Sequence, residues 1–431
     1  MTATPVDPRT ILIIHHSHTD LGYTETQGRV ARWHRDFLRQ ALEIIERPGG
    51  RAPDGWKWQC ETFWAVERFW ETASAGTRAA FVRAVRSGHL GLSGSYLNLS
   101  ELLDYDILQA MTKRAADFGK SIGVPVESAM TADINGYSWG FSQALHDNGI
   151  ANLFTCIHTH HGMFPLGRTQ VPFWWETPKG DRVLVWSGEH YHFGNELGVV
   201  PGAVSSYLTK DECDAEMIFS DHWKVAEIRI PRYLDRLRQA GYAYPFVPVM
   251  ASGLRTDNGP PNSEIADFCA RWNRSHADWC RVEMTTLSEF FRRVREEDVE
   301  VPVHRGDWPD WWSDGCAGNP ATTRIFRQTQ RDLSGYRRLL DRYPQLVREA
   351  IDHAEYTLAL YAEHTFSHSD AMSQPWHPLV HAIAARKKAF ASEAQEAVEQ
   401  MTDRAMKALG ASELRVGRPL RFRVLNPLPH A

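Results

Sequence analysis

Residues 11–14 form a short apolar run, Ile11-Leu12-Ile13-Ile14, with the length and β-branching of a fully buried strand. The chain leaves it through a polar cluster, His15-His16-Ser17-His18-Thr19-Asp20. Apolar positions then recur at helical spacing over 30–45, 64–81, 105–122, 139–148, 223–240 and 265–273. Between these stretches, short runs at 56–58, 90–97, 127–133, 153–157 and 246–250 predict strands. Residues 173–176 and 183–186, joined by Pro178-Lys179-Gly180-Asp181, predict an inserted hairpin. Strands alternating with helices predict an α/β fold with a largely parallel sheet, open or closed into a barrel. Ligands in such folds gather beyond the C-terminal ends of the strands. The polar clusters after Ile14, at Asp133 and after Met250 all fall there.

The texture changes near Asn319: residues 321–340, 346–361 and 380–409 are helical in pattern with no strand between them, which predicts a three-helix unit. The tail returns to alternation over 414–425 and ends in Asn426-Pro427-Leu428-Pro429, as if a β-domain opened there and were cut off. At ~100–200 residues per domain, 431 residues suit this division: an α/β catalytic part over 1–310, helices over 311–410, and the start of a β-domain over 411–431.

Composition narrows the partners. With 53 acidic and 48 basic residues the formal charge is −5, so no basic surface asks for nucleic acid or an anionic membrane. A neutral, polar small molecule fits better, and a homo-oligomer stays open. No apolar run approaches the ~20 residues that span a bilayer, and the first residues carry neither a basic nor an apolar leader segment. The six cysteines contain no C-x-x-C pair and read as reduced thiols, so a cytoplasmic location is expected. The 16 tryptophans serve either as core filler or as platforms for the apolar face of a sugar ring.

Three loci carry candidate chemistry. In extended backbone His18 and Asp20 face the same side, so both can reach one divalent ion, zinc being a common choice; the alternative is a polar surface loop. His16 is expected to pack behind them. Asp133 precedes the turn signal Asn135-Gly136 and is either a catalytic carboxylate at a strand end or an N-cap for the helix through Trp139. Asp257, in Arg255-Thr256-Asp257-Asn258-Gly259-Pro260-Pro261, follows a strand and is either catalytic or part of a plain turn. Later, His364 and His368 share a face if their helix continues that far, as ligands or as structural hydrogen bonders.

The segment His16-Ser17-His18-Thr19-Asp20-Leu21-Gly22-Tyr23 resembles the opening metal motif of glycoside hydrolase family 38, the retaining α-mannosidases. Thr131-Ala132-Asp133-Ile134-Asn135-Gly136-Tyr137-Ser138 is similar to that family's nucleophile motif, and Val424-Leu425-Asn426-Pro427-Leu428-Pro429 to the stretch that opens its C-terminal β-domain. Order and spacing agree along the whole chain. The resemblance implies a seven-stranded (β/α) barrel, a three-helix bundle and a β-rich region that begins at the tail. It implies one zinc ion held by His18, Asp20 and Asp133 by motif match. The fourth ligand falls on His364 by position, with His368 as the fallback, because the family's usual His-His-Asp is Glu363-His364-Thr365 here. Asp133 takes the nucleophile role and Asp257 the acid/base role, although the surrounding Thr256-Asp257-Asn258-Gly259 departs from the family's patterns. The implied activity is retaining hydrolysis of an α-glycosidic bond, most readily an α-mannosidase acting on a carbohydrate substrate. Two other classes compete: a metal-dependent deacetylase or amidohydrolase using a further histidine pair from His158, His160 and His161, and a carbohydrate-binding protein without turnover.

Overall fold

The structure is a computed structural model that describes residues 7–47, 55–134, 136–158, 165–201, 220–253, 257–308, 312–343 and 350–409, with isolated positions at 209, 213, 217, 417 and 426. Its first strand, β1 (Thr10–His16), is buried at all but its first residue. Such a strand needs cover on both faces and partners on both edges. α1 (Gln27–Ile45) follows, burying Val30, His34, Phe37, Leu38, Ala41 and Leu42 along one stripe. The chain continues through β2 (Trp58–Gln59), α2 (Phe63–Thr72), α3 (Ala75–Arg86), β3 (Leu90–Gly91), α4 (Tyr105–Ile122), β4 (Ser128–Asp133), α5 (Trp139–Asp147) and β5 (Asn152–Ile157). The hairpin strands β6 (Val171–Glu176) and β7 (Arg182–Gly188) pair antiparallel, as the turn between them requires. Then come α6 (Phe193–Glu196), α7 (His222–Gln239), β8 (Phe246–Ser252), α8 (Glu264–His276), β9 (Arg281–Thr285), α9 (Leu287–Glu296) and β10 (Val303–Arg305).

Local signals account for most boundaries. The Asp104 side chain accepts from the Ile107 amide to start α4, and left-handed Gly123 ends it. Thr286 and Glu289 form a reciprocal capping box at the start of α9. The single helix expected over 64–81 is two, because Ala73 turns extended and Ser74 caps a new helix by accepting from the Thr77 amide. The strand expected over 90–97 stops at Gly91. Beyond it, Ser93 Oγ takes the Met130 amide at 3.1 Å, and one backbone bond, Gly94 N to Ser128 O at 2.9 Å, stands where a ladder would run.

The fold is mixed α/β. Among the described residues the strands do not close into a seven-stranded barrel; they form three sheets, in the orders β8-β1-β9, β10-β6-β7-β5-β4 and β2-β3. The two-residue β2 and β3 are too short to carry a ladder across to β1 and β4. All pairings except β6–β7 are parallel. Trp56, Trp64, Trp175, Trp186 and Trp272 are fully buried, so these rings fill the core and are not sugar platforms.

After the short α10 (Asp314–Ala317), three helices follow: α11 (Pro320–Arg342), α12 (Ile351–Ala362) and α13 (Pro378–Ala408). α13 packs along both α11 and α12, and α12 also touches α4. The expected β-domain opening at 411–431 lies outside the described residues apart from Gly417 and Asn426. Among the described residues no helix is long and apolar enough to cross a membrane, and all six cysteines are free thiols.

β8 hands the chain to the site through Gly253, whose amide donates to His16 O at 2.7 Å. Gly253 has φ +46, and a Cβ there would stand 2.7 Å from Gly259 Cα. Gly253→Ala must therefore push apart two backbone segments. The expected cost is about 1–3 kcal/mol, read as a lowered melting temperature; an unchanged melt would contradict this packing.

Candidate metal centre and catalytic carboxylates

Segments far apart in the chain bring four ionisable side chains to one point. The loop after β1 is pinned where the His18 amide donates to Ser252 Oγ at 2.9 Å and the Asp20 amide donates to Asn258 Oδ1 at 3.2 Å. β4 ends at Asp133, whose φ of 75° is unusual for a residue with a Cβ. Such strain, ~1–3 kcal/mol, persists only where the surroundings enforce it. Asp133 is not a helix N-cap; that position is Ser138.

His364 arrives differently from the helical expectation. α12 stops at Ala362, Glu363 turns to φ −58 and ψ 143, and an isolated bridge pairs Leu99 with Glu363. The His364 amide then donates to Asn98 O at 3.0 Å, and the Trp312 indole donates to His364 O at 2.9 Å. His364 and His368 therefore do not share a helix face. His368 pairs with Tyr23 through a second isolated bridge, and its Nδ1 accepts from the Asp370 amide at 3.0 Å.

His364 Nε2 lies 3.2 Å from both Asp20 Oδ1 and Asp133 Oδ2, while His18 Nε2 lies 3.2 Å from Asp20 Oδ1 and 3.8 Å from Asp133 Oδ2. One ligand atom from each of His18, Asp20, Asp133 and His364 falls within 4.8 Å of all the others, and all four residues are buried. Among the described residues His18 Nε2, His364 Nε2, Asp20 Oδ2 and Asp133 Oδ1 have no hydrogen-bond partner. Buried polar atoms are rarely left so, and two such imidazole nitrogens converging on two buried carboxylates fit a divalent cation.

The charge pattern agrees. Burial disfavours the cationic form of His18, yet Glu61 and Asp20 outweigh it and raise its pKa well above the usual histidine value. Burial likewise opposes charge on His364, and Glu363, Asp133 and Asp20 raise its pKa. Burial would raise the Asp20 pKa, but His18 and His364 hold it below the usual carboxylate range. The surroundings thus favour positive charge at the centre.

Glu61 stands behind the cluster, and sequence reasoning did not single it out. Its Oε1 accepts from the Thr19 amide at 2.9 Å and Asn98 Nδ2 at 2.7 Å and meets His18 Nδ1 at 3.1 Å; its Oε2 meets His16 Nδ1 at 2.6 Å. A carboxylate so placed can fix an imidazole from the side opposite its free nitrogen. His16 closes the set by placing Nε2 2.9 Å from Tyr191 O.

Asp257 sits across from these groups. Tyr191 stacks on His18 with centroids 4.0 Å apart and donates its hydroxyl to Asp257 Oδ1 at 2.9 Å. Burial first, then repulsion from Asp20 and Asp133, pushes the Asp257 pKa up to about 6, against a partial offset from His18 and His192. Tyr191 was also missed, since a tyrosine between two histidines carries no spacing signal.

His158 Nε2 lies 3.9 Å from Asp133 Oδ1, and Asp133, His158 and His190 form another convergent group. His190, His192 and Glu196 form a further one. His160 and His161 lie outside the described residues, as do Asn135, Arg255 and Thr256.

Residues 8–314 match the model of the glycosyl hydrolases family 38 N-terminal domain. In three dimensions the chain is similar to an α-mannosidase from Enterococcus faecalis, with TM-score 0.65 and 14% identity over 93% of this chain and 43% of that one. It is similar to a protein in glycosyl hydrolase family 38 from the same organism, with TM-score 0.60 and 12% identity over 94% and 41%. A GH57 branching enzyme from the hyperthermophilic archaeon Thermococcus kodakaraensis matches with TM-score 0.58 and 11% identity over 95% and 93%. At these identities the likeness is one of fold. The chain spans less than half the length of the two Enterococcus proteins. No curated protein matches the sequence. The match over residues 8–314 covers most of the chain and both the His18-Thr19-Asp20 and Asp133 loci, and the chain belongs to glycosyl hydrolase family 38.

Proposed function

We propose that the chain is the catalytic front of a zinc-dependent retaining α-mannosidase. The observation that carries this reading is the convergence of the buried His18, Asp20, Asp133 and His364, with Nε2 of both imidazoles unpartnered. The family match and the α-mannosidase fold neighbour support the substrate class. The division into a (β/α) barrel over 1–310, a helical bundle over 311–410 and a β-domain opening over 411–431 belongs to the same proposal. So does a cytoplasmic location, supported by the six free thiols.

The carboxylate of Asp133 attacks the anomeric carbon, the glycosidic C–O bond breaks, and Asp257 gives its proton to the leaving oxygen. Asp257, now ionised, takes a proton from water, which attacks the glycosyl ester and frees Asp133. Zinc, when bound, supplies Lewis acidity toward vicinal sugar hydroxyls. His18, Asp20, Asp133 and His364 would hold it. A pKa of about 6 suits a group that is an acid in one step and a base in the next, and the Tyr191 hydroxyl fixes which oxygen of Asp257 faces the bond.

A metal-dependent deacetylase is the second reading, favoured by His158 and His190 beside Asp133. A covalent adduct of a fluorosugar on Asp133 excludes it; turnover of an acetylated sugar with no adduct would establish it.

Metal analysis of the full-length protein is expected to find about one zinc per chain, lost in His18→Ala, Asp20→Ala and His364→Ala and retained in His368→Ala. Full occupancy in His364→Ala with loss in His368→Ala would reverse the fourth ligand. For the carboxylates, Asp133→Ala abolishes turnover and weakens zinc binding together. Asp257→Ala keeps zinc but slows unactivated glycosides by ~10²–10⁴-fold, with activated aryl glycosides largely spared in the first step and azide speeding release.

The pH dependence has a definite sign. The raised pKa of Asp257 keeps the acid protonated at low pH, so the glycosylation rate falls as pH rises through about 6. Asp257→Ala removes that limb for an activated substrate. Equal slowing of all substrates and an unchanged pH profile would remove Asp257 from the acid/base role.

A further inference from the structure

α13 lies outside the loops that carry the ligands, yet it sends Lys387 into the protein, where the ammonium is fully buried. Burying a lysine is costly unless its charge is paired and its protons are bonded. Lys387 Nζ donates to Leu360 O at 3.0 Å, Glu363 O at 2.7 Å and Glu363 Oε2 at 3.1 Å. Leu360 O belongs to the last turn of α12, whose carbonyls have no intrahelical partners, and a cation there also suits the helix dipole.

Glu363 is equally buried. Its Oε1 accepts from the Leu21 amide at 3.2 Å, directly after Asp20. Its Oε2 accepts from the Thr365 amide at 3.1 Å, directly after His364, and Thr365 Oγ1 reaches both oxygens at 2.9 and 2.7 Å. Oε1 also stands 2.9 Å from His364 Nδ1, close as an ion pair though not aligned as a hydrogen bond. One carboxylate therefore ties together the backbone beside two candidate ligands that are far apart in sequence. On the far side of the cluster Glu61 is held by amides and imidazoles, whereas Glu363 is held by a lysine from another helix.

We infer that Lys387 and Glu363 are positioning residues that lock the Asp20 and His364 arms at metal-binding separation, which makes α13 part of the metal site. The inference rests on the zinc reading above. Neither residue touches the cation: Lys387 fixes Glu363, and Glu363 fixes the two arms.

The test is zinc affinity by chelator competition on the full chain, at a temperature where circular dichroism shows each protein folded. Outer carboxylates of this kind are worth ~10–100-fold in metal affinity. Glu363→Gln and Lys387→Met should each weaken zinc binding in that range. The double variant should bind no more weakly than the poorer single one, because Lys387 acts through Glu363. Thr365→Val, nearly isosteric, should weaken binding in the same direction and by less, and it decides the matter if Lys387→Met does not fold. His18→Ala is the control. If His18→Ala binds zinc like the parent, the zinc site itself is misassigned. If His18→Ala loses zinc while Glu363→Gln and Thr365→Val bind as tightly as the parent, the positioning role is overturned.

Discussion

The rest of the site depends on keeping carboxylates at close range in a place nearly closed to water. Asp20, Glu61 and Glu363 are almost wholly buried and Asp133 nearly so. Ionised groups of that kind are destabilising unless each lone pair is met. Glu61 and Glu363 are met by amides, imidazoles and one lysine, whereas Asp20 and Asp133 each keep one unpartnered oxygen and turn the other toward the two imidazole nitrogens of His18 and His364. That residual negative field favours positive charge at the centre, and the donor set fits a divalent cation.

The fold brings this about by convergence of strand ends rather than by a single local motif. β1 delivers His18 and Asp20, β4 delivers Asp133, and the extended turn after α12 delivers His364. Asn98 links all three: its side chain donates to Glu61, its Oδ1 accepts from the Ala132 amide, and its carbonyl accepts from the His364 amide. β8 supplies the other wall, since Ser252 holds the His18 amide and Asn258, six residues further along the chain, holds Asp20. A carboxylate on that wall, Asp257, is near enough to Asp20 and Asp133 to feel their charge, which is what an acid with a raised pKa needs.

Much of this was legible in the sequence, for identifiable reasons. The hairpin, α4 and the three late helices announce themselves by period and by caps such as Asp104 and Gly123. His18 and Asp20 stand out because a two-residue spacing at a strand end has a geometric meaning. Glu61, Tyr191 and Lys387 were not legible, since each acts across more than 20 positions of chain and none sits in a local pattern. The two-residue β2 and β3 defeat periodicity outright, and serine side chains replace the ladder that residues 90–97 suggest. β9 and α9 were missed although the Thr286–Glu289 capping box and the Leu287, Phe290, Phe291, Val294 stripe are plain in the letters. The helix face that His364 and His368 were expected to share does not form, because the helix ends at Ala362, two residues before His364.

Anomalous diffraction at the zinc absorption edge, from crystals of the full chain grown with zinc, addresses the central claim most directly. A single strong peak enclosed by His18, Asp20, Asp133 and His364 is the predicted result. A peak elsewhere, at His190, His192 and Glu196 for instance, or imidazoles bonded directly to the Asp20 and Asp133 carboxylates with no peak between them, would contradict it.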